Sequence, residues 1–504
     1  MTIDNNTVSY EKFINDNRVK VSDDKEFIDF INAGHQFLIE NIENGRPIYG
    51  VTTGYGEAGQ NYAAFEEAQE LQKNLFSFHG CGVGEYLSAD VSRIMVTIRL
   101  ISLSKGKSGV SYELLKRFEL LLQHKIYPLI PSQGSVGASG DLTPLSYIAA
   151  VIAGEREVIY NGEIKSSCEV YEALHVEPYV FKPKEALAIM NGTATMSAIA
   201  INAIKKFETL LNTTESFVAS IFELLLCDIT PLEPFVHDSK PFDGQRAAAA
   251  NILKKCEDSK LTHEAFSRYE NFHLEKEQNI QDRYSIRCSP QVLGVVHDNL
   301  AVAKKWIETE INGVNDNPLI DHIDRKIYTS GNFYGGYVAH AMDTMRICAG
   351  NVADLLDKEF ALLVDHKFNK GLGESLKLNT KPTHHGFKAM QITLSSLSAD
   401  VIMNTTAASL HSRPTESMNQ DKVSMGTTAA LHFDKQLPDL TNMLSIALIG
   451  MAQAVELRGY ERCSFHLQNS FNIIREDVQR LDFDRRMDID IKVVYKMIED
   501  GQFQ

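Results

Sequence analysis

The chain has 504 residues, 44% of them hydrophobic, with a formal charge of −16 and a pI near 5.5. That length and composition support a large core, and the acidic balance argues against a nucleic-acid groove or an anionic membrane surface as the main partner. No segment reaches the roughly 18 unbroken apolar residues of a membrane span; the longest, Leu444 to Val455, is interrupted by Ser445 and Gln453.

The opening MTIDNNTVSYEKF lacks the basic-then-apolar order of a signal peptide, so the expected location is cytoplasmic. From residue 45 onward, Gly-containing turns at Tyr49–Gly56 and Gly80–Gly84 alternate with short helices, of which Glu67 to Phe78 is one. Gly80-x-Gly82-x-Gly84 follows that helix rather than a buried strand, which excludes a dinucleotide fingerprint. Short strands are expected near Val158–Tyr160 and Lys165. Long helices are predicted near Asn202–Leu226, Val292–Asn312, Val338–Val364, Met390–Leu410 and Thr427–Arg458, the last kinked or shifted by Pro438. With only 14 prolines, the chain reads as mainly α. The expected division is an N-terminal domain over 1–205 and a helical bundle core over 206–504. Seven widely spaced cysteines without a C-x-x-C pair imply reduced thiols. Cys463 and His466 have no second pair at zinc-site spacing, so no metal is expected.

The most informative segment is Gly134-Ser-Val-Gly-Ala-Ser-Gly-Asp-Leu-Thr-Pro-Leu-Ser146. In a tight bend, which glycine permits, the amide nitrogen of Gly140 can attack the carbonyl carbon of Ala138 and close a five-membered ring with loss of water. Loss of the Ser139 hydroxyl as a second water leaves an exocyclic methylene. The product is electron-poor and accepts amines, the task other lyases give to a bound electron sink.

In its thirteen-residue context this segment resembles the signature of the aromatic amino acid ammonia-lyase and aminomutase family, which includes the histidine, phenylalanine and tyrosine ammonia-lyases. The resemblance implies a mainly α, long-helix bundle of the fumarase/aspartase-like type, with a smaller N-terminal domain carrying the electrophile. It implies an autocatalytic 4-methylidene-imidazol-5-one from Ala138, Ser139 and Gly140 and no external cofactor. It further implies a homotetramer with each site assembled from three chains, which suits the long apolar stretch Met443–Val455.

The same resemblance makes Tyr49, first tyrosine of the inner loop Tyr49-Gly-Val-Thr-Thr-Gly-Tyr-Gly56, the catalytic base. A tyrosine acts as a base near neutrality only where dipoles or cations favour its phenolate. Thr52 stands where many lyases have asparagine, a form also seen among the family's tyrosine aminomutases. Gln281-Asp-Arg-Tyr-Ser-Ile-Arg-Cys-Ser-Pro-Gln291 resembles the family's Q-D-x-Y-S-x-R-x-x-P-Q motif, which carries over Gln281, the catalytic Tyr284 and Arg287. A guanidinium such as Arg287 binds a carboxylate through two parallel hydrogen bonds. Asn191 resembles the family asparagine that bonds the ring and stabilises its developing charge, and Phe333 the phenylalanine that shields it. Asn315–Pro318 and Asn419–Gly426 also match, so the resemblance spans about residues 45 to 430.

Substrate choice rests on Phe78-His79, which combines a phenylalanine-lyase-like first residue with a histidine-lyase-like second. It also rests on Gln391 and Asp400, which match by spacing a Gln/Glu pair of histidine lyases, with the acid one methylene shorter. The expected order is tyrosine, giving 4-coumarate, then histidine, giving urocanate, then phenylalanine. An α,β-aminomutase is the nearest alternative reaction, and a non-catalytic helical scaffold the alternative of another class.

Overall fold

The computed structural model describes residues 1–16, 18–63, 67–264 and 281–503. The chain folds as two units. The first comprises Met1–Asn202, Ala303–Asp343 and Ala407–Leu431; the second comprises Ala203–Val302, Thr344–Thr406 and His432–Gln504. The first unit thus combines the N-terminal segment with two later segments of the chain.

In the first unit, side-chain caps start the main helices. Asp24 accepts from Glu26 N before Lys25–Glu43, Ser88 from Val91 N before Ala89–Leu103, and Ser111 from Leu114 N before Tyr112–Gln123. Leu142–Ile152 is apolar on nearly every face and buried throughout most of its length, so the chain immediately before it is held by a helix with little freedom to move. The expected strands form an antiparallel sheet in which Tyr127–Pro128 pairs with Glu157–Tyr160 and that strand with Glu163–Ser166, Val158 facing Lys165. Val83–Tyr86 pairs antiparallel with Pro131–Gln133 directly before the Gly134 turn.

Four of the five predicted long helices are present as Ala194–Leu224, Ser289–Ile311, Gly336–Val364 and Gly426–Arg458. The fifth, Lys388–Met403, stops short of its expected end at Leu410. Its C-cap Asn404 turns Nδ2 onto the Asp400 carbonyl at 2.9 Å, which satisfies a terminal acceptor and closes the helix. Gly426–Arg458 runs through Pro438 as one element. It is long and apolar enough to cross a membrane by length and composition, yet 83% of its most apolar stretch is buried inside the protein. In the second unit Leu440, Met443, Leu444, Ile446, Leu448 and Ile449 of this helix are all buried, as befits a helix surrounded by others.

Candidate active site

Ala138, Ser139 and Gly140 sit in a bend bounded by two left-handed glycines, Gly137 at φ +67° and Gly140 at φ +71°. At Gly140 no other residue fits: a Cβ there would stand 2.2 Å from the Gly192 carbonyl oxygen. The bend is clasped from both sides. Met425 N donates to the Val136 carbonyl at 3.0 Å and Ser424 Oγ to the Gly137 carbonyl at 3.2 Å; Asp141 N donates to the Gly192 carbonyl at 2.7 Å. Asp141 itself is fully buried and accepts from Ser135 Oγ and Met196 N, both at 2.8 Å, and from Thr427 Oγ1. Burial pushes its carboxyl above the usual range, opposed by these donors.

Two amides converge on Ser139. Asn191 Nδ2 donates to the Ser139 carbonyl at 2.7 Å, and its Oδ1 accepts from Asn317 N at 2.7 Å, so the orientation of the amide is set. Gln420 Nε2 donates to Ser139 Oγ at 3.1 Å while its Oε1 accepts from Thr415 Oγ1 at 2.7 Å. Gln420 is delivered by a hairpin in which Thr415 pairs with Gln420 and Glu416, Ser417 and Met418 lie at φ 49°, 51° and 70°. Three successive non-glycine residues in the left-handed region cost about 1–2 kcal/mol each, a strain that its hydrogen bonds and packing must hold.

These residues line a cavity of about 170 Å³ together with Tyr49, His79 and Phe333. Gly56 N donates to Tyr49 Oη at 2.7 Å, which favours the phenolate. Burial, and to a lesser degree the nearby Glu416 carboxylate, outweigh it and raise the Tyr49 pKa. Within this unit, then, the dipole expected to activate Tyr49 is present but does not prevail. His79 Nδ1 lies 2.9 Å from the Leu75 carbonyl, which only accepts, so Nδ1 carries the proton. Burial lowers the His79 pKa and disfavours the charged ring, and with Nδ1 protonated the neutral ring has Nε2 as its acceptor.

The structure therefore brings together Tyr49, His79, Ala138, Ser139, Asn191 and Phe333 around one cavity, with Gly140 in the bend behind Ser139. Phe78 does not line it; the side chain is 58% exposed, its ring 4.1 Å from that of His79. Gln281, Tyr284, Arg287, Gln391 and Asp400 belong to the second unit, and none lines this cavity. The Arg287 guanidinium lies 4.5 Å from the centre of the exposed Tyr284 ring, and its Nε is buried without a hydrogen-bond partner among the described residues. Gln391 and Asp400 share the helix Lys388–Met403. Nine residues are about two and a half turns, which puts them on opposite faces, so one copy of this helix does not turn both to the same ring. Glu416, Gln420 and Asn317 carry no role that the sequence alone reveals. Gln420 and Asn317 lie inside matched motifs, and that match was the available signal.

This constellation, an Ala-Ser-Gly bend with two amides on its central serine and a tyrosine across the cavity, is that of a carbon–nitrogen lyase. The family model for aromatic amino acid lyase matches residues 8–476, and the chain belongs to that family. A histidine ammonia-lyase of Bacillus velezensis is 34% identical over 452 residues, covering 90% of this chain and 86% of that protein. A hal-like protein of Dictyostelium discoideum is 35% identical over 482 residues, covering 94% and 90%. The solved structure of a tyrosine aminomutase from Streptomyces globisporus matches with a TM-score of 0.95 at 30% identity, covering 100% of this chain and 97% of that one. The fold is thus the helical bundle of the fumarase-like class.

Proposed function

We propose that this enzyme eliminates ammonia from an aromatic L-amino acid, with tyrosine as the preferred substrate and 4-coumarate as the product. The observation that carries the reading is the Ala138-Ser139-Gly140 bend, with Asn191 on the Ser139 carbonyl and Gln420 on its hydroxyl. The bend fits the 4-methylidene-imidazol-5-one expected there. Gly140 has the left-handed conformation and the close backbone neighbour that exclude any side chain, and the Gln420 N–H lies on the oxygen that must leave as water. When formed, that group supplies an electrophile that makes the substrate amine a better leaving group.

The remaining work falls to side chains. Asn191 Nδ2 supplies a fixed dipole at the oxygen where negative charge develops. Tyr49 Oη takes the β-proton, its phenolate favoured by the Gly56 N–H and opposed by burial and Glu416. Phe333 lines the cavity and helps exclude water. His79 Nε2, neutral and unprotonated, accepts a hydrogen bond from a phenol hydroxyl, which a phenylalanine ring lacks. Arg287 binds the substrate carboxylate, and Gln281 and Tyr284 join it, within a cytoplasmic homotetramer whose sites are each built from three chains. Of Gln391 and Asp400, a given copy of their helix turns only one toward a bound ring.

Histidine is the second reading, favoured by the histidine ammonia-lyases among the relatives; the same His79 Nε2 accepts from an imidazole N–H. An aminomutase reading is favoured by the tyrosine aminomutase structure. Initial rates with L-tyrosine, L-histidine and L-phenylalanine, followed by the absorbance of each conjugated acid, test the assignment. A dominant tyrosine rate is expected. A dominant histidine rate replaces the substrate, and a β-amino acid found by chiral chromatography replaces the reaction.

A further inference from the structure

Behind Asn191 lies a buried charge cluster that touches neither the cavity nor solvent. Asp316, Lys184 and Arg99 are each completely buried. Lys184 Nζ donates to Asp316 Oδ2 and, at 2.8 Å, to the Ser108 carbonyl; Ser108 Oγ donates to Asp316 Oδ1 at 2.7 Å. Arg99 Nη2 lies 3.7 Å from Asp316 Oδ1 and donates to the Ala188 carbonyl at 2.6 Å. Its Nη1 lies so close to Gly192 that a Cβ there would meet it at 2.0 Å. Ions taken out of water are costly even when paired, and are weak evidence of a stabilising role.

The neighbours of Asp316 in the chain are held as firmly. Asn315 Nδ2 donates to Glu310 Oε1 at 3.0 Å, the oxygen that also accepts from Thr193 Oγ1 at 2.5 Å. Asn317 Oδ1 accepts from Ser330 N at 2.6 Å. From this segment Asn317 N donates toward the site, to Asn191 Oδ1 at 2.7 Å. An asparagine amide is free to flip unless one end is fixed, and a flipped Asn191 turns a carbonyl oxygen toward the Ser139 carbonyl.

We infer that Asp316 is a positioning residue: gripped by Lys184, Arg99 and Ser108, it fixes the Asn317 N–H on Asn191 Oδ1, so that Asn191 presents its N–H to Ser139. This rests on the reading of residues 138–140 as the electrophile. Asp316 touches no reacting atom and acts through Asn191.

The test is Asp316→Ala, alone and in the Lys184→Met background, where no lysine is left stranded, with each repeated on Asn191→Ala. Loss of the Asn191 donor itself is expected to cost roughly 10²–10³ in kcat, and loosening it through Asp316 about tenfold with slower loss of the two waters by intact mass. The deciding readout is coupling: on Asn191→Ala the Asp316 change is expected to leave kcat within about twofold, because the residue it acts through is gone. Wild-type kcat and maturation in Lys184→Met/Asp316→Ala overturn the inference, as does an undiminished drop on Asn191→Ala, which marks a general structural role. A wild-type mass without loss of two waters overturns instead the electrophile reading, and this inference with it.

Discussion

Replacing Glu416 by glutamine removes a full negative charge beside Tyr49 while keeping the shape of the side chain. Gly56 N sits 2.7 Å from Tyr49 Oη, and a Cβ on Gly56 would stand 2.1 Å from Glu416 Oε2. With ordinary bond lengths the carboxylate is then within roughly 7 Å of the phenol oxygen. A unit charge at that separation is worth about 0.6 kcal/mol in water and about 2.4 kcal/mol at the effective dielectric near 20 of a partly buried pair. Tyr49 is 38% exposed, which favours the lower half of that range. The sign is fixed: the carboxylate disfavours the phenolate and raises the Tyr49 pKa, so Glu416→Gln lowers it and the phenolate forms at lower pH. In a profile of log kcat/KM against pH, the limb that rises toward alkaline pH is expected to move to lower pH. The substrate ammonium titrates identically in both enzymes and drops out of the comparison. Weaker substrate binding without the Glu416 carboxylate lowers the curve without moving the limb. A limb that stays in place or moves to higher pH refutes Tyr49 as the titrating base beside Glu416.

His79→Leu removes the acceptor assigned to the substrate hydroxyl, and the kcat/KM ratio of tyrosine to phenylalanine is expected to fall by roughly tenfold to a hundredfold, the worth of about 1–3 kcal/mol for a buried polar group left unpaired; an unchanged ratio moves the phenol elsewhere. Gly59→Ala puts a Cβ 2.9 Å from Tyr49 Cε2, and displacement of that ring is expected to lower kcat about tenfold or more with little change in melting temperature. Full activity in that variant shows the loop yielding freely. Size exclusion with light scattering is expected to give a tetramer, and a monomer with full activity contradicts the assembly of each site from several chains.

The helices were legible because their burial is written in the local pattern: Gly336–Val364 and Gly426–Arg458 begin within two residues of their predicted starts. Lys388–Met403 ended early because a side chain, Asn404, terminates it, and capping by asparagine competes with the apolar periodicity that suggested continuation. The Ala-Ser-Gly bend was legible because it is formed by three adjacent residues in a glycine-containing run. What the sequence left unread depends on distant segments meeting. Gln420 reaches Ser139 across 281 positions and Lys184 reaches Asp316 across 132, and no periodicity encodes either. The same holds for Ala303–Asp343 and Ala407–Leu431, which join the first unit through tertiary packing alone. The His79 tautomer was likewise invisible until Leu75 was placed beneath it.

The central claim is that residues 138–140 become an electrophile, and the mass of the intact protein, read beside Ser139→Ala, tests it most directly. Wild type is expected to be lighter than its sequence by two waters, with the loss confined to the peptide carrying Ala138, Ser139 and Gly140. The variant is expected to stay folded, lose at most the water of ring closure, and be inactive. An unmodified wild-type mass in an active preparation, or full activity in Ser139→Ala, contradicts the account.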